Sequence, residues 1–195
     1  MIAAAVKRLL PPPIDIREIL RYARVRGDDA ASEERVKELF ALAEGELDYL
    51  VSYTVLPLSV SGSECRTEAL TFNSESLAAR VGNCKRIAIF AATVGSKMDR
   101  LIKKYEHISA RDALLLDAVG AERVEALCDA FTELLEKKEG ELTQRFSPGY
   151  GDLPLELQRD VFRILMPEGS LGLTLGEGLL MSPSKSVTAF VGILN

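Results

Sequence analysis

Lys85-Arg86-Ile87-Ala88-Ile89-Phe90-Ala91-Ala92-Thr93-Val94 is a run in which apolar side chains follow one another without the alternation of a half-buried strand. Successive residues of a strand point to opposite faces, so a continuous apolar run needs cover on both. The segment therefore predicts a central strand sandwiched between two packed layers. Upstream, Glu75 to Arg80 has the length and composition of a short helix, capped by Asn73 or Ser74 and closed by Gly82-Asn83. Downstream, Ser96 to Tyr105 reads as a helix. Ala110 to Lys138 places Leu116, Val119, Val124, Leu127, Phe131 and Leu134 on approximately one face of a long one, with Gly120 as a candidate bend.

Farther out on the N-terminal side, Val51 to Val60 is β-branched and aromatic. Pro57 would remove a ladder hydrogen bond there, which places it on an edge strand or at a strand end. Before it, Val36, Leu39, Phe40, Ala43, Leu47, Leu50 and Val51 form one helical stripe, with Ser32 as the expected cap. Pro11-Pro12-Pro13 fixes an extended segment, followed by a short helix carrying Ile14, Ile19, Leu20 and Ala23. Beyond the long helix, Gly140 to Pro154 is dense in Gly and Pro and encloses a short β-like run, Leu142 to Phe146. A short helix over Pro154 to Leu165 and strand-like pieces at Leu171 to Leu175 and Lys185 to Leu194 complete the chain. A terminus this apolar is expected to be tied into a sheet.

Composition narrows the chemistry. The chain has 195 residues, 47% of them apolar, a net charge of −5 and a single histidine. That length suits one domain over residues 1–195. His107 lies between two expected helices as a linker residue, and one histidine leaves no His pair or HExxH helix for a zinc enzyme. Cys65, Cys84 and Cys128 are widely spaced with no CxxC, which suits reduced thiols in the cytoplasm rather than a metal ribbon. The N-terminal apolar run stops at Lys7-Arg8, the reverse of a signal peptide's order, and no stretch has the length of a membrane span. Lys and Arg are spread among acids, so neither a nucleic acid nor a membrane is the expected partner. Asp28-Asp29 reads as a solvated helix-start pair, and Ser182-Pro183-Ser184-Lys185-Ser186 as either a hairpin turn or an anion site.

The stretch Arg145-Phe146-Ser147-Pro148-Gly149-Tyr150-Gly151-Asp152 combines a planar cationic fork, an aromatic plate and residues that let a ligand approach the backbone. With Glu139 and Glu141 beside it, it suits an amino-acid-like zwitterion. The same stretch resembles the Arg-x-x-Pro-Gly-Tyr loop of the C-terminal activation domain of vitamin B12-dependent methionine synthase. Leu173 to Val187, with its Thr174, Met181, Pro183 and Ser186-Val187, is similar to a second segment of that family at the corresponding spacing. From about residue 85 to 194 the elements follow the family's order, whereas residues 1–30 match poorly.

The resemblance implies an α+β fold, a single domain with a central, mostly antiparallel sheet and packed helices. It implies S-adenosylmethionine as ligand, contacted by Arg145 and Tyr150 with Phe146, Ser147 and Gly149 alongside. Glu139 stands at the offset of the family's acidic contact, and Asp15 is the candidate for an acidic contact near the domain's start. It further implies reactivation, in trans, of a cobalamin-dependent methionine synthase, with an electron from a flavodoxin-like or iron–sulfur donor. The Asp-x-His-x-x-Gly signature of a cobalamin carrier does not surround His107, so the cobalamin is expected on a partner protein. Docking on another corrinoid methyltransferase, and a regulatory protein that keeps the fold without methyl transfer, are the rival readings.

Overall fold

The computed structural model describes residues 3–25, 27 and 29–194; Asp28 of the Asp28-Asp29 pair lies outside them. Four strands, β1 (Ala5–Arg8), β2 (Leu50–Pro57), β6 (Cys84–Thr93) and β9 (Ser186–Leu194), form one antiparallel sheet in the order β1-β2-β6-β9. The run that opened the sequence reading is β6, and it is indeed covered on both faces. Ala88, Phe90 and Ala92 face a layer made by α1 (Ile16–Tyr22), α2 (Ala30–Ala43), α4 (Ser96–Glu106) and the 30-residue α5 (Ala110–Glu139). Ile87, Ile89 and Ala91 face a second layer built from α3 (Glu75–Val81), α6 (Leu157–Leu165) and α7 (Pro167–Leu171). Phe90 and Phe131 are fully buried with rings 4.9 Å apart, and Tyr53 stands 5.1 Å from Phe131. Side chains of that size each contribute about 1.5–3 kcal/mol of apolar burial, so this cluster anchors α5 across the sheet.

Several boundaries differ from the sequence reading for local reasons. α2 starts earlier, because the carboxylate of Asp29, not Ser32, takes the free amide of Ser32 at 3.0 Å. It stops at Ala43, and a single 3-10 turn, Glu44–Glu46, separates it from β2. Pro57 closes β2, which is an interior strand, so the strand-end reading is the right one. Ser74 caps α3 through the Leu77 amide. α5 runs without interruption, and Gly120 makes room for the Lys185 side chain rather than a bend: a Cβ there would lie 2.8 Å from Lys185 Cγ.

Two small sheets fall outside the periodic reading. They are β3 (Ser59–Ser61), β4 (Glu64–Arg66) and β5 (Thr71–Asn73), and the β7 (Thr174–Leu175) and β8 (Met181–Ser182) hairpin. Leu171, expected in a strand, ends α7. No described helix is long and apolar enough to cross a membrane.

Candidate functional site

The Gly/Pro-dense loop is positioned by three independent ties. Its first part continues the main sheet: Phe146 and Phe190 exchange both backbone hydrogen bonds at 2.9 Å, Thr143 N donates to Gly192 O at 2.9 Å, and Leu194 N donates to Glu141 O at 2.8 Å. The β-like run 142–146 is thus a short extra rung on the free edge of β9. Next comes a turn in which Tyr150 N donates to Ser147 O and Gly149 N to Leu153 O. Gly151 sits at φ +55 with only 3.0 Å between a would-be Cβ and Ser76 Oγ, so a side chain there would be strained in the backbone and crowd Ser76.

The third tie is Asp152. Its carboxylate accepts from the Ser74 hydroxyl at 2.7 Å and from the amides of Glu75 and Ser76 at 2.6 and 3.1 Å. These donors, Ser74 first, hold the Asp152 carboxyl far below the usual carboxylate range. A depressed pKa means stability that is complete above the unfolded value of about 3.9 and lost as pH falls through the folded one. Asp152→Asn is therefore expected to melt at a lower temperature than the wild type at pH 7, with the gap closing below about pH 4. Thermal melts across that range check it, and a gap independent of pH would show that the charge is not what ties the loop.

Held this way, Arg145 stands between two clefts. The larger, about 560 Å³, lies between α1 and α5 and includes Pro12, Pro13, Asp15, Tyr22 and Arg145 in its walls. Glu122, Glu125, Asp129 and Glu133 repeat along one face of α5 and make this cleft strongly acidic, with Glu18 opposite. The smaller, about 270 Å³, is walled by Arg80, Arg145, Phe146, Ser147 and Tyr150. Arg145 Nη2 is shared by Glu125 at 3.1 Å and Asp129 at 2.9 Å. Its Nη1 is buried and without a hydrogen-bond partner among the described residues. Beneath the guanidinium the Cys128 thiol is fully buried, and that burial pushes its pKa up to about 12, so it is a packing group and not a nucleophile.

The far wall of the acidic cleft depends on a buried ion pair. Arg123 is fully buried and donates to the carbonyls of Pro12 and Pro13, both at 2.7 Å, and to the neighbouring Glu122 carboxylate. Glu122 in turn accepts from Asp15 N at 3.1 Å. The Asp15 carboxylate caps α1 through the Glu18 amide. Within the same wall, burial, with Glu125 and Glu18 nearby, raises the pKa of the Tyr22 phenol.

No family model and no curated protein matches the sequence. Among solved structures, the crystal structure of the MetH reactivation domain bound to AdoHcy superposes with a TM-score of 0.73 over 98% of this chain and 78% of that one. The chain has the fold of the MetH reactivation domain. At 15% identity the likeness is one of fold, and it agrees with the α+β architecture expected from the order of elements.

Within the reactivation-domain fold, the expected ligand contacts separate into groups that meet at Arg145. Asp15 shares the acidic cleft with it, and Phe146, Ser147 and Tyr150 share the smaller one, where Tyr150 is 68% exposed at the loop's tip. Gly149 shapes the turn behind them at φ +90. Glu139 lines neither cleft: Lys138 at 3.0 Å and Arg86 at 2.6 Å hold its carboxylate and lower its pKa. The Ser182–Ser186 segment is a structural tie, with the Ser184 amide and hydroxyl both on Asp99 at 2.7 Å and Lys185 on Asp117 at 2.7 Å. Arg80, Glu125 and Asp129 join the expected residues at these clefts; the spacing of acids along α5 is a signal for a charged face, but it does not say which residue that face meets.

Proposed function

We propose that this chain binds S-adenosylmethionine and acts in trans as a reactivation module for a cobalamin-dependent methionine synthase. The observation that carries the reading is Arg145 at the junction of an acidic and a cationic cleft, within a fold whose solved example holds AdoHcy. S-adenosylmethionine presents a carboxylate, an ammonium and a sulfonium, and so carries one net positive charge at neutral pH. A guanidinium in the walls of both clefts suits the carboxylate, and the α5 carboxylates suit the two cationic centres. Tyr150 and Tyr22 add aromatic faces of the kind that favour a cation.

Methyl transfer from a sulfonium needs no general base, since the electron pair of the broken S–C bond stays on sulfur and the product is AdoHcy. The cobalamin would be carried by the partner and would supply the methyl-accepting chemistry there, with the electron coming from a flavodoxin-like or iron–sulfur donor. What falls to this chain is holding the donor in line, and positioning alone is worth several kcal/mol. The single histidine is therefore no obstacle to this role.

Calorimetric titration with S-adenosylmethionine tests the reading. The wild type is expected to bind, and Arg145→Ala to bind more weakly by about tenfold or more, the worth of a charged hydrogen-bond pair. No binding by the wild type would sink the proposal, whereas unchanged binding by the variant would sink only the assignment of Arg145. The hold of Glu125 and Asp129 on Arg145 Nη2 favours a second reading, a protein that docks on a corrinoid enzyme and regulates it without methyl transfer. A reactivation assay with the corrinoid protein, an electron donor and labelled S-adenosylmethionine separates the two, since only the first moves the label to the cobalamin.

A further inference from the structure

We propose that Arg80 is a ligand-binding residue of this site: with Arg145 it holds the ligand's carboxylate in the smaller cleft, while the acidic cleft holds the ligand's positive charge. The inference rests on the S-adenosylmethionine reading and goes beyond it by adding a residue and assigning each charge of the ligand to a place.

Arg80 lies in the last turn of α3 and is exposed. Its guanidinium stacks over the Phe146 ring at 5.1 Å, and Nη1 donates to Gln144 Oε1 at 3.1 Å. The fork is thus already oriented on the loop that carries Arg145, so that less side-chain entropy is lost when it closes on an anion. Arg80 forms no ion pair among the described residues, although it belongs to a chain rich in acids. Arg145, Ser147 and Tyr150 line the same cleft. The one carboxylate in that wall, Glu125, is already spent on Arg145.

The two clefts differ in charge. The larger one has Asp15, Glu18, Asp129 and Glu133 in its walls with Arg145 as the one cationic side chain there among the described residues, so a carboxylate in it has more anionic than cationic neighbours. The smaller cleft has Arg80 and Arg145 in its walls, and a planar fork matches a carboxylate with paired hydrogen bonds. The ammonium and sulfonium then extend past Arg145 toward the α5 carboxylates. Arg145 belongs to the walls of both clefts, with Nη2 on Glu125 and Asp129.

The experiment compares S-adenosylmethionine with its decarboxylated analogue, which keeps the sulfonium and lacks the carboxylate, by titration calorimetry. Arg80→Ala is expected to weaken S-adenosylmethionine binding on the order of tenfold and to leave the analogue's affinity unchanged, with Arg80→Lys in between. Melting temperatures equal to the wild type's show that each variant is folded. Equal losses for both ligands, or no loss for either, overturn the assignment of Arg80 while leaving the S-adenosylmethionine reading in place. A wild type that binds neither ligand overturns both.

Discussion

Arg123→Ala is expected to lower the stability of this domain by about 3–5 kcal/mol, because it strands a buried carboxylate without a counterion. Arg123 is fully buried, Glu122 nearly so, and the guanidinium satisfies both Glu122 and the carbonyls of Pro12 and Pro13. Burial disfavours the Arg123 charge and the Glu122 carboxylate more than offsets it, which leaves the pKa of Arg123 above its ordinary value. A domain of this size has a net stability of only about 5–15 kcal/mol, so the loss is a large share of the whole. Urea denaturation of the variant measures it. A double replacement, Glu122→Gln with Arg123→Met, is expected to cost less than the single one, since it removes the stranded charge. A cost below about 1 kcal/mol for Arg123→Ala would show that the pair contributes no more than an exposed one. The variant also removes the Arg123 hydrogen bonds to the Pro12 and Pro13 carbonyls, so the wall of the acidic cleft that includes Asp15 is expected to loosen.

The second large effect is at the opposite edge of the site. A Cβ at position 192 would lie 2.6 Å from Cys84 Sγ, 2.9 Å from Val81 Cγ1 and 3.0 Å from Thr143 Cγ2. Gly192 is what allows 142–146 to lie flat along β9, with the Thr143 amide on its carbonyl and the Thr143 hydroxyl accepting from its amide. Gly192→Ala is expected to cost about 1–3 kcal/mol as an overpacking substitution. The strain falls on the edge rung, because β6 is locked by β2 on its other side. Hydrogen exchange should therefore quicken at the amides of Thr143 and Phe146 more than at those of β6. Adding Cys84→Ala removes the closest clash and is expected to recover part of the loss. Uniform exchange across the sheet would mean that the loop does not depend on this glycine.

These two positions also show where reading the sequence stopped. Nothing near Glu122-Arg123 in the chain announces that Pro12 and Pro13 will close over it. Gly192 reads as an unremarkable residue in a β-branched run, because its necessity comes from Cys84, Val81 and Thr143, three residues distant in sequence. The small β3–β5 sheet escaped for a different reason: strands of three residues are too short to show a period. Of the residues expected to contact the ligand, Arg145, Phe146, Ser147 and Tyr150 share one cleft, as their closeness in the chain suggests, whereas Glu139, expected from its offset, pairs with Arg86 and Lys138 at the end of α5.

What the sequence by itself determined is the set of strongly patterned elements. The unbroken apolar run of Lys85 to Val94 demands a strand covered on both faces, the stripe along Ala110 to Lys138 demands a long helix with a partner, and the Gly/Pro loop demands a constrained turn. Each follows from the local geometry of one segment and the cost of leaving apolar surface in water. What only the tertiary structure decided is which charges meet. Arg145 faces Glu125 and Asp129, Arg80 faces the same small cleft, and the polyproline segment lies on Arg123. Those encounters depend on how α1, α3 and the loop pack around α5 and β9. Charge interactions act through space, and the spacing of residues along a chain carries no record of distances across it.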